Sequence, residues 1–207
     1  MRWCIMDDGQ HTLGPMTDLR AVFHIRTGIH TTLDRWIAHF TSTPAAPFVP
    51  PHLAQLTRER AAADDEVAIN QYDASKSILL INGRWLLPQL ETKLSPGEAL
   101  LDANGRTVLA AHLSADDARG FAHTGDLPDR VDTQPFNGAA LLTHPWDVIR
   151  HRDAAIAHDA ARIRMVDALI PEDFAFTEGD YAVDIHETAR IAHNVYFDST
   201  HGPIVVD

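Results

Sequence analysis

The chain has 207 residues, 45% hydrophobic and 22% charged, a composition that fits a soluble globular protein with one sizeable core, or one core and a small appendage. Its 17 Lys and Arg against 29 Asp and Glu leave a net charge of −12, which excludes a basic footprint for nucleic acid or anionic lipid. The single cysteine, Cys4, excludes an internal disulfide and a cysteine-based zinc site, and no segment approaches the roughly 18–20 apolar residues needed to cross a bilayer.

If such a chain handles phosphates, it must do so with a local cluster of arginines and backbone N–H groups, against an adverse global field. Thirteen histidines make its charge sensitive to pH between about 5 and 7. The start, MRWCIMDDG, is too short and turns acidic too soon for a secretory leader, so a cytoplasmic protein is the expectation.

Arg2 to Met6 is a short apolar run closed by Asp7-Asp8-Gly9, the pattern of a buried strand entering a loop, and Cys4 within it is expected to be a buried thiol. Thr31 to Phe40 carries Leu33, Trp36, Ile37 and Phe40 at helical spacing. Thr43 to Pro51, with four prolines, predicts an extended connector. A short strand is expected at Glu66 to Ile69, and SILLI (Ser77 to Ile81) predicts a strand covered on both faces, ending at Asn82-Gly83. Ser114, followed by two acids, predicts a helix N-terminus. Ala139 to Leu142 reads as a further strand, and Asp153 to Leu169 as a longer helix stopped by Pro171. Strands alternating with helices imply an α/β sandwich with a mostly parallel sheet. Ligands of such sheets bind at the carboxyl ends of strands, which directs attention to Asp7–Gly9 and Asn82–Arg84.

The C-terminal segment follows another rule. Ile185, Ile191 and Phe197 recur every six residues and Ile204 resumes the series, a spacing that suits neither helix nor strand but matches the steps of a parallel β-helix. The expected division is therefore residues 1–178 as an α/β domain and 179–207 as the first coil of a hexapeptide-repeat β-helix, with an irregular tail as the alternative. One coil cannot bury its own face, so a longer repeat array is implied.

The stretch LGPMTDLRAVFHIRTGIHTTLDRW (Leu13 to Trp36) resembles the N-terminal signature of the sugar nucleotidyltransferase-like family related to bacterial GlmU. Leu13, Pro15, Thr17, Arg20, Val22, Arg26, Gly28, Ile29, Thr31, Arg35 and Trp36 carry the likeness. LLINGRWLLP (Leu79 to Pro88), HPWDVI (His144 to Ile149) and GPI (Gly202 to Ile204) resemble further elements of that family, in its order. The resemblance implies a Rossmann-like nucleotide-diphospho-sugar transferase domain followed by a left-handed β-helix. It also implies the reaction of a nucleoside triphosphate with a sugar 1-phosphate to give a nucleotide sugar and pyrophosphate. Mg²⁺ is the implied cofactor, a homotrimer through the β-helix the implied assembly, and neither nucleic acid nor membrane is an expected partner.

Nucleotidyl transfer needs cations and backbone donors aimed at phosphate oxygens. The candidate catalytic residues are Arg20 and Arg26, whose planar forks suit phosphate; the alternative is that they tie the loop to acids such as Asp18 or Asp34. Asp8, Gly9, Thr17, Asn82, Gly83 and Arg84 are candidates for nucleotide or phosphate binding. Arg84 either neutralises a phosphate or sits exposed at a strand-end turn. Asp147 is a candidate metal ligand or the cap of the helix after it. The family's Gly-rich loop is replaced here by DDGQHTLGPMT, with only Gly9 and Gly14, so two readings stand: a nucleotidyltransferase, or a non-catalytic domain that binds sugar phosphates or nucleotide sugars beside a β-helix.

Overall fold

A computed structural model describes residues 2–60, 68–71, 76–90, 94–124, 126–162, 175–186 and 188–206. They form two compact units, Met1–Ile156 and Ala157–Asp207.

The first unit is built on strand β1 (Trp3–Met6), the carrier of the first apolar run. Helix α1 (Thr32–Phe40) follows. Thr31 is its N-cap: the Thr31 hydroxyl accepts from the backbone N–H of Asp34, whose carboxylate returns a bond to the Thr31 N–H, so two orphan donors are satisfied together. The proline-rich stretch is more than a connector. It contains β2 (Pro47–Phe48), parallel to β1 at the sheet edge, where a residue lacking an N–H is tolerated. Helix α2 (Ala54–Arg60) comes next, and then β3 (Ile78–Asn82), buried along its whole length.

An antiparallel hairpin follows, β4 (Glu98–Asp102) and β5 (Val108–Leu113), closed by a turn in which the Asp102 carboxylate accepts from the Arg106 and Thr107 N–H groups. Helix α3 (Ala115–Thr124) and β6 (Asp132–Phe136) come next, then α4 (Asp147–Arg150) and α5 (Arg152–Ala160). The sheet order is β2-β1-β3-β5-β4-β6, with three of its five pairings parallel. It is the expected α/β architecture with a mostly parallel sheet.

The period-2 geometry of β1 and β3 divides their side chains between two cores. Trp3, Ile5, Leu79 and Ile81 pack with Trp36 and Trp85 on the α1 side. Cys4, Met6, Ile78 and Leu80 pack with Ala118 and Phe121 of α3 on the other. Full burial of one such side chain contributes about 1.5–3 kcal/mol, and a one-residue slip of β3 would exchange every partner. A third cluster joins Leu13 and Val22 of the first long loop to Leu86, Leu87, Ala140, Leu142 and Ala155, which seats that loop beside the sheet.

Three expectations change. Ala139–Leu142 is not a sheet strand: it lies antiparallel to the segment after β3, with Leu86 N–H donating to Ala140 O and Leu142 N–H to Arg84 O. Of Glu66–Ile69, only residues 68 and 69 are described, and Ile69 lies in a turn. The helix expected over Asp153–Leu169 starts as α5 but is helical only to Ala160; Ala161 and Arg162 lie in a turn, and the stretch from 163 to its expected end at Leu169 lies outside the described residues. No described helix is long and apolar enough to cross a membrane.

In the second unit, β7 (Ala175–Glu178) pairs in parallel with β9 (Val195–Asp198), and β8 (Val183–Ile185) with β10 (Ile204–Val206). The partners Ala175 and Val195 are 195 − 175 = 20 residues apart, and Val183 and Ile204 are 204 − 183 = 21. Gly179 is obligatory here: its φ is +109°, and a Cβ would stand 2.4 Å from the backbone of Ser199 and Thr200.

Candidate functional site

β1 and β3 end side by side, with Met6 opposite Asn82, so the first two loops of the sheet meet at their carboxyl ends. Asp7, the first residue past β1, turns its carboxylate inward. One oxygen accepts from the Val22 N–H at 2.8 Å, the other from the Gly9 N–H at 3.0 Å, and His11 Nε2 lies 3.1 Å from it. A single carboxylate thus ties both ends of the loop between residues 8 and 21 to the strand end. Burial pushes the Asp7 carboxyl upward in pKa, but the His11 ring and the two N–H donors outweigh it and hold the group below its ordinary value.

Asp8 makes a second closure. Arg84 Nε and Nη2 approach its two oxygens at 2.9 and 2.7 Å, a bidentate pair, and Asn82 Nδ2 donates to it at 2.8 Å. Arg84 is only 2% exposed. Asn82 orders the turn further, donating to Val108 O and accepting from the Arg84 N–H. Gly83 is required by space, since a Cβ would lie 2.8 Å from the Phe23 ring and 2.9 Å from Met6 O. Of the two readings of Arg84, neither is what the geometry presents: it is a buried ion pair rather than an exposed turn residue or an open phosphate ligand.

The segment Thr143–Asp147 lies against this cluster. Thr12 N–H donates to Thr143 O at 2.8 Å, and Arg84 Nη1 reaches the Thr143 hydroxyl at 3.4 Å. Asp147 caps the turn from below, its carboxylate accepting from the Thr143 and His144 N–H groups at 3.0 and 2.8 Å, with Arg150 Nη1 at 3.1 Å. Burial raises the pKa of that carboxyl, and the two N–H groups together with the Arg150 and His144 charges bring it below the ordinary value. Asp147 is the first residue of α4, whose N-cap is Trp146 with no side-chain cap bond, so its carboxylate braces the turn before the helix rather than capping the helix itself.

Arg20 and Arg26 are exposed. Arg26 Nη1 donates to Ile29 O at 2.8 Å, which folds that side chain along its own loop. Arg20 lies close enough to His24 for its charge to be felt there. Burial lowers the pKa of the His24 imidazole, Arg60 and Arg20 lower it further, and Asp34 opposes them. Thr17 is buried, while Gly9 is exposed at φ +65°. The structure therefore brings Asp8, Asn82, Gly83 and Arg84 into one network, joins Asp147 to it through Thr143, and leaves the two arginines outside.

Sequence reasoning missed four contributors. His11, four residues after Asp7, was legible only as spacing. His24 and Arg60 come from separate elements and carry no motif. Trp146, inside HPWDVI, stacks its indole on His144 with ring centres 4.5 Å apart and planes within 11°.

A Mg²⁺ ion does not fit these carboxylates as they stand. Asp7 and Asp147 accept from N–H groups and Asp8 from a guanidinium and an amide, so none offers an oxygen set arranged for a cation. Among the described residues no group of three His, Cys, Asp or Glu side chains is placed to hold a metal.

No curated protein matches the chain. A family model described as sugar nucleotidyl transferase matches residues 3–165, which contain the entire six-stranded sheet, its helices and every residue of the strand-end network. That match spans well over half of the 207 residues, and the chain belongs to the sugar nucleotidyl transferase family.

Proposed function

We propose that the protein transfers a nucleotidyl group from a nucleoside triphosphate to a sugar 1-phosphate, forming a nucleotide sugar and pyrophosphate. The sugar phosphate oxygen attacks the α-phosphorus, the bond to the bridging oxygen breaks, and pyrophosphate leaves with that electron pair. The family match over residues 3–165 carries this reading. The geometry supports a division of labour. Asp7 and the Asp8–Arg84 pair hold the loop of residues 8–21 on the strand ends, and Gly9, Thr17, Asn82 and Gly83 shape it. Arg20 and Arg26, the exposed cations of this loop and its exit, meet the phosphates, because transfer needs positive charge where phosphate charge is spread.

The second unit fits the start of a β-helix. Parallel pairing at offsets of 20 and 21 residues is the relation of one coil to the next, slightly longer than three hexapeptide steps. A continued array of this kind would build the homotrimer that the resemblance implies. Mg²⁺, if required, would enter with the triphosphate.

The test is pyrophosphate release from the protein with Mg²⁺, each common nucleoside triphosphate and a panel of hexose 1-phosphates. Release with one pair sustains the proposal, and its absence with every pair, from protein shown to be folded, overturns it.

A further inference from the structure

Trp3, Trp36 and Trp85 are 1%, 0% and 0% exposed, yet Trp146 is 56% exposed. Exposure alone means little for one aromatic residue. What sets Trp146 apart is that it is exposed and held. Its indole lies flat on the His144 imidazole, 4.5 Å between centres and 11° between planes. Both backbones are clamped: the Asp147 carboxylate accepts from the His144 N–H at 2.8 Å, the Asp147 N–H donates to His144 O at 3.0 Å, and the Arg150 N–H donates to Trp146 O at 2.9 Å. The imidazole covers one face of the indole while much of the residue stays accessible. The clamped turn is in turn stitched to the strand-end loop through Thr143, which accepts from the Thr12 N–H and meets the Arg84 guanidinium.

From this juxtaposition we propose that the His144–Trp146 stack is the seat of the nucleobase, a rigid aromatic platform beside the strand-end loop on which the base of the nucleoside triphosphate lies flat. This rests on the nucleotidyl reading of the site and adds the place and chemistry of base recognition to it. Three physical reasons favour a base as the occupant. Every base has a π-face, so a preformed aromatic pair extends into a third stacked ring without a new hydrogen-bond pattern. Stacking draws no penalty from the chain's net charge of −12, which opposes the phosphates of the same ligand. The turn that carries the platform is bonded to the loop proposed to take those phosphates, Thr143 O accepting from the Thr12 N–H at 2.8 Å. Ile149, 71% exposed and three residues beyond Trp146 on the same side of α4, offers an aliphatic edge to the same surface.

The distribution of tryptophans makes this readable. Iodide in water reaches Trp146 and is kept from the three buried indoles, so the iodide-quenchable part of the emission reports Trp146. Adenosine, guanosine, cytidine, uridine and thymidine are titrated in turn, without phosphate or metal, while iodide quenching is followed. At least one nucleoside should shield the quenchable fraction, and calorimetry should show Trp146→Ala binding it about tenfold more weakly, in keeping with the loss of one base–aromatic contact, while Trp146→Phe recovers most of the affinity. An unchanged urea midpoint for Trp146→Ala, and a like loss in His144→Ala, separate loss of stacking from loss of fold.

Nucleoside triphosphate binding that leaves iodide quenching of Trp146 unchanged would overturn the platform, as would equal affinity in Trp146→Ala. Shielding that rises with protein concentration and ignores every nucleoside would also overturn it and mark the surface as a contact between protein molecules. Shielding by a nucleoside in a protein that releases no pyrophosphate would sustain the platform and sink the transfer reaction, so the two failures are distinguishable.

Discussion

The carboxyl end of the β1–β3 pair and the rim around it are built from similar residue types and do opposite things with them. At the strand ends every charge has a partner: Asp7 is met by three donors, and Asp8 by Arg84 and Asn82. On the rim Arg20, Arg26 and Trp146 stay exposed. A buried ion cannot wait for a ligand without a large desolvation penalty, so the interior uses its charges to hold the loop. The rim, where water supports an open charge, is where a substrate finds groups to meet.

The sharpest way to break this contrast is Arg84→Ala, which leaves the Asp8 carboxylate half-buried and unpaired. A loss of about 3–5 kcal/mol in unfolding free energy is expected from urea denaturation, and a double change, Asp8→Asn with Arg84→Met, should recover a good part of it. Stability close to wild type in Arg84→Ala would mean that the pair is dispensable. Gly83→Ala comes next. The methyl group must displace the Phe23 ring and the carbonyl of Met6, and about 1–3 kcal/mol of destabilisation is expected, with the loop of residues 8–21 loosened as judged by amide exchange at Val22.

The rim should answer differently. Arg20→Ala and Arg26→Ala should lower kcat/KM by about tenfold or more, roughly 1.4 kcal/mol, with urea midpoints unmoved. A stability loss without a kinetic one would return both arginines to the structural role that competes with phosphate binding.

The smallest effect is on pH. The His24 imidazole is held below its ordinary pKa by burial and by Arg60 and Arg20, with Asp34 opposing, so the folded state binds fewer protons than the unfolded state. Stability is then fully present above about pH 6.5, and falls as pH drops from there toward the folded value. Asp7 is also depressed, so its contribution is present above about pH 4 and is lost as pH falls through its folded value. Urea midpoints between pH 7.5 and 3 should show both declines. His24→Gln should remove the upper one alone, and a flat profile in the wild type would contradict both assignments.

Legibility in the sequence followed the range of the physics. The apolar runs at Arg2–Met6 and Ser77–Ile81 announced the buried strands β1 and β3, and the helical spacing of Leu33, Trp36, Ile37 and Phe40 announced α1, because each signal is local. The β4–β5 hairpin escaped notice although Asn104-Gly105 marks its turn, since the alanines in its strands have weak strand preference and settle there by packing on β3. β2 escaped because proline argues against a strand unless an edge position is known beforehand. At the site, the strand-end loops were legible as places, and the likeness over Leu13–Trp36 pointed to the family that the match over residues 3–165 then showed. The pairing of Asp8 with Arg84 was not legible. They are 76 residues apart, and nothing in either segment states whether its charge faces water or the other.

By itself, then, the sequence determined that an α/β sheet would form, where its first and third strands would end, and which side chains would be available there, because strand burial and helix capping are encoded within a few residues. Only the tertiary structure decided which of those side chains are consumed. Desolvation depends on what packs around a group from distant segments, and it made the inner carboxylates and Arg84 into supports while leaving the outer arginines and Trp146 in contact with solvent.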